Sequence, residues 1–173
     1  MKSPRSTARS KGPKQDDTAL RQHLVSLLRG GNAHVVFDKA VAGVPASTRG
    51  TRHPNVPFTL WGLLEHMRIA QWDILEFSRD AKHVSPQWPD GYWPKTDGPA
   101  SDAAWEASVK ACRRDLRQME ALVKNPKTDL LRRIPHGSGQ TILREAMLAA
   151  DHNAYHLGQF VMLRRLLGAW KND

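Results

Sequence analysis

"TLWGLLEHMRIAQWDILEFSRD", residues 59–80, reads as one long amphipathic helix, and most of the fold follows from that reading. Leu60, Leu63, Met67, Ala70 and Ile74 recur at three- and four-residue intervals, which lines up one face of a helix. Thr59 stands where an N-terminal cap belongs, its side-chain oxygen able to accept from a free backbone N–H. His66 lies at the edge of the apolar stripe, beside Leu63, Ala70 and Phe77, with Asp73 two turns further on. An imidazole at the rim of a buried face needs partners for both ring nitrogens, or it costs stability.

Upstream, "DDTALRQHLVSLLRGG" (16–31) sets Leu20, Leu24, Leu27 and Leu28 at helical spacing, with acids in front and Gly30-Gly31 as a stop. "NAHVVFDKAVAGVP" (32–45) reads as a second, shorter helix, and Pro54 and Pro57 mark a loop. Downstream, "DAKHVSPQWPDGYWPKTDGP" (80–99) holds four prolines, two glycines and three large aromatics, which no regular element tolerates. A long aromatic loop of this kind is a lid or wall of a site, or a stretch pinned to the core by Trp88 and Trp93; the two are compatible. Ser101 starts the next helix, "DAAWEASVKACRRDLRQMEALVKN", which Pro126 stops. A short extended piece, "LLRRIPHGSG", leads to a last helix over roughly 141–168, closed by Gly168. With no strand runs and no repeats, the expectation is an all-α four-helix bundle with one or two short extra helices and a long Pro/Trp-rich loop.

A chain of 173 residues with 40% hydrophobic content fits one domain able to bury a core without disulfides. Its single cysteine, Cys112, rules out an internal disulfide. No apolar run reaches the roughly 18–20 residues of a membrane span. The basic start lacks an apolar stretch behind it, so no secretory signal is expected and a cytoplasmic protein is the default. Of the formal charge of +9, five units belong to Lys2, Arg5, Arg9, Lys11 and Lys14, leaving +4 over the rest. Residues 1–15 thus read as a disordered basic tail and 16–173 as the domain. Such a tail is usually just solvated; its alternative is weak, salt-sensitive contact with nucleic acid.

The last helix carries "DHNAYHLGQF", residues 151–160. His152 and His156 are one turn apart and share a stripe with Glu145, Ala149, Phe160 and Leu163, away from the side marked by Arg144, Asp151, Gly158 and Arg165. Two histidines so placed suit either one metal ion or a core satisfied by hydrogen bonds, and His66 is the candidate third ligand. His136, in "IPHGSGQ", could reach a pocket at the N-terminal end of that helix as a cofactor-binding residue, and His34 could face the interior. His23, His53 and His83 read as surface or loop residues, and Cys112 as structural. Glu145 is a candidate for orienting a ligand or moving a proton, against the plainer alternative of a salt bridge to a neighbouring arginine. The H-E-x-x-H metalloprotease helix, the nucleophile elbow and the glycine-rich phosphate loops are all absent from the sequence.

"LWGLLEHMRIAQWDILEF" followed far downstream by "REAMLAADHNAYHLGQFVMLRRLLGAW" closely resembles the DinB-like superfamily of damage-inducible four-helix metal proteins. "HVSPQWPDGYWP" and "IPHGSGQT" are similar to one branch of it, and the likeness spans roughly residues 17–171. The resemblance implies a divalent ion, commonly zinc or nickel, held by one histidine of the second bundle helix and two of the last. By motif these are His66, His152 and His156. Relatives of this kind include transferases and isomerases that use bacillithiol, mycothiol or glutathione, so the resemblance implies a small-molecule substrate and a low-molecular-weight thiol cosubstrate. It also implies that a homodimer is reasonable. A metal-dependent enzyme is the leading expectation, most plausibly a thiol S-transferase with hydrolysis as a variant. A non-enzymatic, stress-related bundle acting through self-association or a partner is the alternative.

Overall fold

The computed structural model describes residues 17–170; the basic tail expected over residues 1–15 lies outside them. Among the described residues there are five α-helices: α1 (Thr18–Arg29), α2 (Phe37–Val41), α3 (Leu60–Arg79), α4 (Asp102–Lys124) and α5 (Ile142–Leu166). Single 3-10 turns occur at Ala46–Thr48 and Asp90–Tyr92. Strands are absent among the described residues; one isolated bridge joins Arg133 to Thr141, where the extended piece was expected. Four long helices and one short one make the all-α bundle that the apolar periodicity predicts.

The helix starts follow capping chemistry. Thr59 Oγ1 accepts from Gly62 N at 3.0 Å, and Ser101 Oγ from Ala104 N at 3.1 Å. Thr141 Oγ1 accepts from Arg144 N at 3.2 Å. At the other end of α5, Gly168 takes the left-handed φ of 66° that lets the chain leave the last turn.

Cross-helix bonds give the helix directions. Gln71 of α3 meets Asn153 of α5, and His66 meets His156, so these two run antiparallel. Gln71 also donates to the Cys112 carbonyl and Arg79 reaches Gln118, so α3 and α4 run parallel. Parallel neighbours need a long return connection, and residues 80–101 supply it. This crossover runs back along the bundle and is fastened at its far end. Thr59 Oγ1 donates to Asp97 O at 2.6 Å, and Gly50 packs so closely on Gly98 that a Cβ at Gly50 would lie 2.8 Å from the Gly98 Cα.

The core has two apolar centres. One joins Leu60, Leu63, Leu64 and Met67 to Trp105, Val109, Leu157, Phe160 and Leu163. The other joins Leu24 and Leu28 to Ile74, Leu75, Met119, Val123, Ile142 and Ala146. The polar side chains Gln71 and Asn153 bridge α3, α4 and α5 in the middle of the bundle. His66 and His156 are buried there as well.

Candidate metal centre

His66 comes from the second turn of α3, and His152 and His156 from consecutive turns of α5. Antiparallel packing of the two helices brings the rings together. His66 Nε2 lies 3.1 Å from His156 Nε2 and 3.1 Å from His152 Nε2. One ligand atom from each of the three falls within 4.8 Å of the others, and they form a group able to hold a metal ion. His66 and His156 are buried and His152 is half-buried.

The outer nitrogens decide what the inner ones can be. His66 Nδ1 lies 2.9 Å from the Tyr92 carbonyl oxygen, which can only accept, so Nδ1 carries the hydrogen. His156 Nδ1 donates likewise to Gln159 Oε1 at 2.7 Å. A neutral imidazole has one hydrogen, so Nε2 of each ring is a bare lone pair. Burial holds His66 and His156 below the ordinary histidine range, and it pushes His152 down to about 4 with help from its two neighbours. The three rings therefore stay neutral at neutral pH, with no second proton on any of them. Two lone pairs facing each other at 3.1 Å repel unless a cation stands between them. Nitrogens sharing one ion at roughly 2.0–2.1 Å are themselves about 3.0–3.4 Å apart, so this donor set fits a divalent metal. His152 Nδ1 is buried without a hydrogen-bond partner.

The crossover walls the centre. Trp93 stacks flat on His66, with ring centroids 4.1 Å apart and planes 4° from parallel. Phe58 stacks on Trp93 in turn. Of the two tryptophans expected to pin the loop, Trp93 packs against the core, whereas Trp88 is 72% exposed. Tyr92 OH donates to Asp73 Oδ2 at 2.6 Å, and His83 Nε2 donates to Asp73 Oδ1 at 2.7 Å. Burial, then the Asp73 carboxylate, pushes the Tyr92 phenol up to about 12, so it stays a donor. His83 is thus not the surface residue its loop position suggests: its side chain is buried on Asp73. Asp73 and Tyr92 were not singled out as site residues; the seven-residue spacing from His66 to Asp73, two turns on one face, was the available signal.

The other sequence candidates lie apart from the triad. Glu145 is buried and accepts from Arg144 Nη1 at 2.7 Å, the salt bridge its neighbours suggested. Its burial raises the carboxyl pKa, with Arg144 opposing and Asp73 adding. His136 is exposed and bonded at 2.7 Å to the Phe77 carbonyl, closing the last turn of α3. His34 is exposed, its Nδ1 2.9 Å from the Val35 carbonyl, so it does not face the interior. Cys112 is buried and its thiol is pushed up to about 12 by burial, in keeping with a structural role.

No helix among the described residues is long and apolar enough to cross a membrane. Comparison with curated proteins and with solved structures gave no match. Comparison with family models gave a match to the DinB superfamily over residues 32–160, a span that takes in α2 to α4, most of α5, the crossover and all three clustered histidines. With well over half its length matched and the helical bundle in place, the chain belongs to the DinB superfamily.

Proposed function

We propose that the chain binds one divalent metal ion, zinc or nickel, through His66, His152 and His156, and that it is an enzyme transferring a low-molecular-weight thiol to a small electrophile. The observation that carries the metal is the pair of bare imidazole lone pairs 3.1 Å apart, with no proton to separate them. Imidazole nitrogen suits both metals. Among the described residues no fourth His, Cys, Asp or Glu joins the group, and a three-ligand set favours a working centre over a closed structural one.

A bound divalent cation would supply the charge that keeps a thiol as its thiolate at neutral pH. The chain's own groups do the rest. Tyr92 O and Gln159 Oε1 hold two imidazoles in one tautomer, and Trp93 keeps water from one face of His66. Tyr155, edge-on to His156 and 64% exposed, offers aromatic surface for the carbon skeleton of the electrophile. In the transfer the sulfur forms the new S–C bond, the leaving group departs with the pair of the bond that breaks, and the thiol proton goes to solvent. Cys112, buried and fully protonated, takes no part.

A panel of thiols with an electrophilic acceptor, run on metal-loaded and chelator-treated protein, tests this reading. Metal-dependent loss of free thiol with at least one member is expected. Ester or amide cleavage without thiol consumption would replace transfer by hydrolysis, and no turnover of either kind would favour the non-enzymatic alternative.

A further inference from the structure

One backbone atom of the crossover hydrogen-bonds the centre: the Tyr92 carbonyl, which lies 2.9 Å from His66 Nδ1. That bond sets which nitrogen of His66 faces the other two rings. The carbonyl stands at the end of the 3-10 turn Asp90–Tyr92, inside a loop with four prolines and two glycines, so no long helix or sheet places it. What places it here is Asp73. The carboxylate stands on α3 seven residues beyond His66 and is buried; one oxygen accepts from Tyr92 OH at 2.6 Å and the other from His83 Nε2 at 2.7 Å. His83 lies near the start of the crossover and Tyr92 near its middle, so a single side chain grips the loop at two points. Trp72 adds an edge-on contact to the His83 ring, and Trp93, next after Tyr92, lands flat on His66.

We propose that Asp73 is a positioning residue for the metal centre, acting through a clasp with His83 and Tyr92 that fixes the orientation and tautomer of His66. The inference rests on the metal-binding part of the proposed function and is independent of which reaction the centre supports. Asp73 does not touch the three converging nitrogens. Its effect passes along the phenol ring to the Tyr92 backbone and from there to His66. A carboxylate that served the fold alone would tie the loop down equally whether or not the imidazoles were needed, so the two roles differ in what they do to metal affinity.

The test measures Zn²⁺ affinity of the full chain by competition with a chromogenic chelator. The melting temperature with and without Zn²⁺, and the visible spectrum of the Co²⁺-loaded protein, are recorded alongside. Asp73→Ala is expected to weaken Zn²⁺ binding by about 10-fold or more, to shrink the melting increment that Zn²⁺ gives, and to shift the Co²⁺ bands. Tyr92→Phe removes one grip and keeps the backbone carbonyl; His83→Ala removes the other. Each is expected to weaken binding by a smaller factor. His83→Gln, whose amide N–H can replace the ring N–H toward Asp73, is expected to restore affinity. Should Asp73→Ala fail to fold, the Tyr92 and His83 variants decide. Zn²⁺ affinity and Co²⁺ spectra equal to wild type in these variants, with melting temperatures lowered by the same amount with and without metal, would overturn the clasp while leaving metal binding intact. A wild-type chain that binds neither ion removes both proposals together.

Discussion

His66, His152 and His156 show how far single residues could be read. His152 and His156 were legible because one helical turn separates them, and His66 because it borders an apolar stripe. The partners of the outer nitrogens of His66 and His156 were not. One is a backbone carbonyl, and side-chain identities do not say which carbonyl a loop will present. His83, read as a surface or loop residue, is on a loop, but its burial was not legible for the same reason: it depends on where the crossover turns, and that is decided by Asp73 on another element. Glu145 permits a test of burial at the residue scale. Its folded pKa is raised above the ordinary 4.5, chiefly by burial, so the fold favours the protonated form. The stability associated with this group is therefore full below the ordinary value and is lost as pH rises through the folded one. Glu145→Gln removes that dependence. In melting curves from acid to neutral pH, the melting temperature of the variant minus that of the wild type should rise as pH passes 4.5; a difference that stays constant or falls would show the carboxylate to be well accommodated.

At the scale of elements, the helices follow from short-range physics and the crossover does not. Thr59 and Ser101 were read as helix starts, and both cap as expected, because a cap depends only on residues three or four apart. The prolines and glycines of residues 80–99 announce irregular backbone but leave its path open. That path is set by long-range contacts: Asp73 with Tyr92 and His83, Thr59 with Asp97, and Gly50 against Gly98. The last of these is a backbone-to-backbone approach that leaves no room for a methyl group. Gly50→Ala would put a Cβ 2.8 Å from the Gly98 Cα, so one segment must move. Overpacking of this kind costs about 1–3 kcal/mol, which urea unfolding should register as a lower midpoint with an unchanged slope. Wild-type stability in that variant would mean that the far end of the crossover is held loosely.

For the molecule as a whole, the sequence supports the number and kind of helices, while their directions come from packing. The long connection after α3 allows a parallel neighbour, and the bonds from Gln71 to Cys112 and to Asn153 show the arrangement adopted: α4 runs with α3, and α5 against it. That arrangement carries the functional proposal, because only an antiparallel α3 and α5 with the right register bring His66 opposite both His152 and His156. A shared ion would therefore couple two helices through side chains more than eighty residues apart in the chain. The most direct measurement is the metal content of the full chain by elemental analysis, after equilibration with Zn²⁺ or Ni²⁺ and removal of loose ions. Wild type would be set beside His66→Ala, His152→Ala and His156→Ala. Shared coordination predicts about one equivalent in wild type and near none in each variant. Equal metal in all four proteins, or none in wild type, would contradict it.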